Sequence, residues 1–157
     1  MNRIILCLLI IISIEVFSID EGFIPVNKKE KIQQGEISLK TASEYLEDRK
    51  YYLCIDKIKE FQILFHDHPS YSKSHRILSS AFEKISRWDK VAQTELNLYK
   101  EKPETEEGLT AFLNAGKAYI RIGKTNEAKR IFEFLISREN TLKITKDAEL
   151  ELKLLDN

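Results

Sequence analysis

AGKAYIRIGKTNEAKRIFEFL, residues 115–135, decides how this chain is read. Gly116 precedes Tyr119, Gly123 punctuates the middle, and Ala128 opens a second apolar run that closes at Leu135. Residues three apart share one helical face, so Gly116 admits a neighbouring helix closely while Tyr119 fills the space beside it. Gly123 can take the left-handed conformation that ends a helix. The segment reads as two antiparallel helices joined by a tight turn.

The same pattern stands twice more upstream, with no gap needed. TASEYLEDRKYYLCIDKIKEF from Thr41 and LSSAFEKISRWDKVAQTELNL from Leu78 align with it, each start 37 residues before the next. Small residues recur at Ala42, Ser79 and Gly116, and aromatics three later at Tyr45, Phe82 and Tyr119. A turn column holds Arg49, Ser86 and Gly123, followed two later by Tyr51, Trp88 and Thr125. Cys54, Val91 and Ala128 form a second small-to-medium column, and Phe61, Leu98 and Leu135 close each unit. One hairpin cannot bury its own seam, so such units stack and share a core. Burial in that core accounts for nearly every aromatic in the chain.

These columns resemble the tetratricopeptide repeat, over about residues 36–140. AGKAYIRIGKTNEAKRIF carries the family's small-residue pair, aromatic, turn glycine and second-helix alanine; the middle unit keeps LSSAF, RWDKV and a closing Pro103. Arg49 and Cys54 make the first unit the most divergent, and the 37-residue period exceeds the family's usual 34. The extra residues fall around 65–70 and 102–107. The resemblance implies an all-α fold, a right-handed α-solenoid of three helical hairpins plus a C-terminal capping helix. It further implies a concave groove, lined by first helices, that holds a peptide or partner helix. The Pro69-Ser70-Tyr71 junction is similar to those in bacterial envelope accessory proteins.

The expected hairpins cover about 36–68, 71–103 and 107–140. Their helices run at about 36–48, 51–66, 71–86, 88–101, 105–122 and 125–139. Ala148, Leu152 and Leu155 at helical spacing predict a cap over 144–156. The repeat domain spans 35–157, and the Lys/Glu-rich residues 19–34 before it read as a flexible leading segment.

Residues 1–18 carry the three regions of a secretory signal peptide: Arg3, the apolar run from Ile4 to Ile12, and small Ser18 after Val16-Phe17. The apolar stretch spans about 21 Å as a helix, short of a hydrocarbon core of about 30 Å. Glu15 adds to the case against a retained anchor, which is the alternative. The expected setting is exported, in the periplasm or envelope if bacterial. Cys7 sits too early in that run for a lipid-modified cysteine. Cys54 is then the lone cysteine of the mature chain, read as a small buried hydrophobe.

Composition narrows the function. Lysine plus arginine equals aspartate plus glutamate at 25 each, so the basic surplus that phosphate binding needs is missing and nucleic acid is not an expected partner. No glycine-rich phosphate loop, zinc-helix motif or nucleophile elbow occurs, and neither an enzyme nor a cofactor is expected. His75, Ser79, Ser80 and Glu83 hint at a triad, but the packing column explains Ser79. His66, His68 and His75 form the one grouping that suggests a metal; the plainer reading is a solvated helix end.

What remains is the groove. Mapped onto the family's first-helix face, it comprises Lys73, Arg76, Lys84, Asn114, Lys117 and Arg121 with apolar Leu39, Leu46 and Ile120. That basic stripe predicts a protein or peptide partner of acidic-amphipathic character; the bland alternative is a solvated face. The family's carboxylate clamp is not carried over, since only Arg76 and Asn114 fall near its positions. A rival reading makes the chain a structural subunit that assembles through its outer faces, or through Leu152 and Leu155 of the cap.

Overall fold

A computed structural model describes residues 27–138 and 142–155. The expected signal peptide, 1–18, lies outside them. Among the described residues seven helices follow in order: α1 (Lys28–Glu47), α2 (Tyr51–Leu64), α3 (Tyr71–Lys84), α4 (Trp88–Glu101), α5 (Glu106–Arg121), α6 (Thr125–Ser137) and α7 (Leu142–Leu155). No strand occurs among the described residues. Each helix packs on the next along the chain, as in a helical repeat.

The turn column has one conformation in all three units. Arg49, Ser86 and Gly123 take φ of 61°, 58° and 74°. Lys50, Arg87 and Lys124 then donate their N–H to the carbonyls of Tyr45, Phe82 and Tyr119 at 2.8, 2.9 and 2.9 Å. The column residues themselves donate to Leu46, Glu83 and Ile120. Both bonds of a Schellman closure are thus present each time, and the second helices start in register at Tyr51, Trp88 and Thr125.

The leading segment requires a correction. Residues 28–34, expected to be flexible, form the opening turns of α1. Asn27 caps them, its side chain accepting from Lys29 N–H at 3.1 Å, and the Lys-, Glu- and Gln-rich run has good helix propensity. Gly35 lets the His68 ring lie against the helix, where a Cβ would stand 2.5 Å from Cδ2.

Two apolar clusters form the core. The first unites α1–α4 around Leu39, Cys54, Ile58 and Phe61 and takes Ala118 from α5. The second unites α5–α7 around Leu113, Phe132, Leu135 and Ala148, with Leu96 and Tyr99 of α4 against it. Tyr99 stacks on Phe112 with ring centres 4.1 Å apart. The α4 helix therefore serves both clusters.

Candidate functional site: a polar cleft between the third and fifth helices

The junctions between first helices differ. α1 touches α3 and α5 touches α7, whereas α3 and α5 have no Cα pair within 8 Å. They lean instead on α4, leaving between them a cleft of about 820 Å³. Arg76, Ser80 and Glu83 of α3 face Glu107, Thr110 and Asn114 of α5 across it. Glu95 and Leu98 of α4 contribute to its lining from below. A smaller chamber of about 270 Å³ shares Ser79, Glu83, Glu95 and Asn114 with the first and adds Lys117 and Arg121.

Thr105 starts the α5 wall. Its hydroxyl accepts from Gly108 N–H at 3.1 Å, with Glu106 and Glu107 in the first turn, where the helix dipole favours negative charge. Glu107 draws Arg76 across the cleft and accepts from Lys102 Nζ at 2.7 Å. The Lys102 hydrogen bond, helped by the Arg76 charge, holds the Glu107 carboxyl below the ordinary glutamate value.

Glu95 is the unexpected residue. It is 8% exposed, and its Oε1 accepts from Ser79 Oγ at 2.5 Å. Burial pushes its carboxyl above the ordinary glutamate value, against the lowering effects of the Ser79 and Asn114 hydrogen bonds and the Arg76 charge. One repeat away on either side stand Ile58 and Phe132, both fully buried. The second hairpin thus places a carboxylate where the others place core hydrocarbon. Sequence reasoning passed over it, although extending the alignment by this one column exposes the anomaly.

Of the groove residues expected from sequence, Arg76, Asn114, Lys117 and Arg121 come together on the two chambers. Lys117 is held by Glu151 of α7 at 3.4 Å, and the Arg121 guanidinium lies 5.4 Å from the Trp88 ring centre. Lys73 and Lys84 are exposed on α3 and line neither chamber. Among the apolar members, Leu39 is corrected. It is fully buried in the first cluster, because it lies three residues before Ala42 and shares its inward face. Leu46 and Ile120 are half-buried against the two clusters.

The histidines do not converge. His66 is exposed. His68, expected at a solvated helix end, is buried: its Nδ1 accepts from Ser70 N–H and its Nε2 donates to the Ile32 carbonyl, both at 3.0 Å. His75 is buried with Nε2 3.2 Å from Glu101. Among the described residues no three His, Cys, Asp or Glu side chains are grouped to hold a metal. No helix among them is long and apolar enough to cross a membrane.

Comparison with protein-family models, curated proteins and solved structures gives no match. Among the described residues the chain is an all-helical, repeat-like stack of hairpins with a polar cleft between α3 and α5.

Proposed function

We propose that the chain is an exported, non-catalytic helical-repeat scaffold of tetratricopeptide type, and that its α3–α5 cleft holds a segment of another protein. The observation that carries this reading is the separation of α3 from α5, which leaves a chamber of about 820 Å³ on a helical framework. That volume lies within the range of about 300–1,000 Å³ typical of ligand sites. The 37-residue columns and their identical turns support the repeat assignment. The apolar run behind Arg3 supports export to a periplasm or envelope. Arg76 and Lys117 are engaged by Glu107 and Glu151, so an acidic stretch of the partner would meet Arg121 in the smaller chamber and exposed Lys73 and Lys84 on α3.

A second reading is favoured by α7, whose Leu150 and Leu154 are 56% and 63% exposed. These residues, rather than the core-packed Leu152 and Leu155, would mediate assembly. Photo-cross-linking residues at Ser80, Thr110 and Leu154, introduced singly in the native compartment, separate the two. The cleft reading expects protein adducts from Ser80 and Thr110. Adducts from Leu154 alone favour assembly, and adducts from no position sink both.

A further inference from the structure

Glu95 occupies an apolar column of the repeat, between the counterparts Ile58 and Phe132. Its hydrogen-bond donors, Ser79 and Asn114, are neutral. Arg76, whose charge acts on it, is drawn to Glu107 instead, and Glu83 adds further negative charge. A carboxylate taken out of water and met by neutral donors is costly to keep in a core, and hydrocarbon at that position is generally as stable or more so. The cleft opens over this residue, with Leu98 and Ala111 among its walls. Those walls suit the aliphatic stem of a long cationic side chain, whose head seeks the carboxylate while its methylenes pack.

We propose that Glu95 anchors a cation socket, in which a lysine or arginine side chain of the bound protein segment enters the α3–α5 cleft and pairs with the Glu95 carboxylate. This deepens the reading of the cleft as a protein-binding groove and rests on it. The cleft between Ser80 and Thr110 admits backbone, while Glu95 selects charge.

The test is an NMR titration of the folded chain with a short blocked alanine peptide carrying one central lysine, its norleucine counterpart, and n-butylammonium. The lysine peptide should shift the Ser79, Glu95 and Asn114 resonances saturably, and norleucine should bind at least about tenfold more weakly. Glu95→Gln keeps an oxygen to accept from Ser79 and should reduce lysine-peptide binding to the norleucine level. The lysine–norleucine comparison in the unaltered chain decides the matter even if that variant folds poorly. Equal binding of the two peptides, or no saturable shift by the lysine peptide, overturns the socket. So does n-butylammonium binding as tightly as the lysine peptide, since the cleft would then take a free amine rather than a segment. Cross-links from Ser80 and Thr110 surviving such a result would leave the groove reading standing without the socket.

Discussion

Ser79 and Glu95 are joined by a 2.5 Å hydrogen bond across the α3–α4 packing interface. Their counterparts one repeat away are Ala42 with Ile58 and Gly116 with Phe132, apolar pairs that build the core without polar atoms. A hydroxyl facing a carboxylate at this crossing gives the middle hairpin a chemistry that the outer two lack. The cleft lies directly over it.

Ser79→Ala should cost about 1–3 kcal/mol, because it strips a donor from a buried acceptor. Ser79→Ala combined with Glu95→Ile recreates the first hairpin's pair. It should be as stable as the parent or more so, by up to about 4 kcal/mol. Urea titrations of both variants at neutral pH check this, and a double variant weaker than Ser79→Ala alone refutes it.

The same pair sets a pH dependence. Glu95 is held above its ordinary value of 4.5 by burial, so the folded state keeps that proton more tightly than the unfolded one. Its contribution is undiminished below about 4.5, falls as pH rises from there through the folded value, and stays low above it. The Glu95→Gln variant should therefore gain on the parent as pH rises through that interval. Melting curves of both across the interval should diverge; parallel curves would refute the assignment.

In the turn column, Arg49 and Ser86 hold left-handed backbone that glycine adopts without strain. Arg49→Gly and Ser86→Gly should each stabilise the chain by about 0.5–1 kcal/mol. Gly123→Ala should destabilise by about 1 kcal/mol through backbone alone, since its added Cβ meets nothing within 4 Å. Denaturation midpoints of the three variants give the signs.

Gly116→Ala has a different cause. Its Cβ would stand 2.6 Å from Phe132 Cε1 and 2.9 Å from Cζ, so a cost of about 1–3 kcal/mol is expected from overpacking. A compensating Phe132→Leu should recover part of it, which a double-mutant cycle by urea titration would reveal.

Cys54 is fully buried, and burial pushes its thiol up to about 11. In a chain with Cys7 replaced by serine, a thiol reagent at pH 8 should modify Cys54 only as fast as the protein opens. Rapid labelling without denaturant would contradict the packing of the α1–α2 seam.

Where the sequence was legible, one column mapped to one structural event. The turn at 49, 86 and 123 and the start of each second helix follow directly from the alignment, and α4 spans the expected 88–101. Polarity misled at 28–34, because a run of Lys, Glu and Gln suits a surface helix as well as a loop. The resemblance to the tetratricopeptide repeat puts Leu39 in the groove, although its spacing from Ala42 points inward. His68 gave no sign that Gly35, 33 residues earlier, would receive its ring. The gap between α3 and α5 was hidden for another reason: a repeat specifies which hairpins are neighbours, but not how closely their first helices approach.

That gap underlies the functional reading, and spin labels at Ser80 and Thr110, on opposite walls, measure it most directly. The expected result is a single narrow distance, well beyond the roughly 8–10 Å between axes of directly packed helices. A broad distribution, or one dominated by the strong dipolar broadening of helices in direct contact, would contradict it.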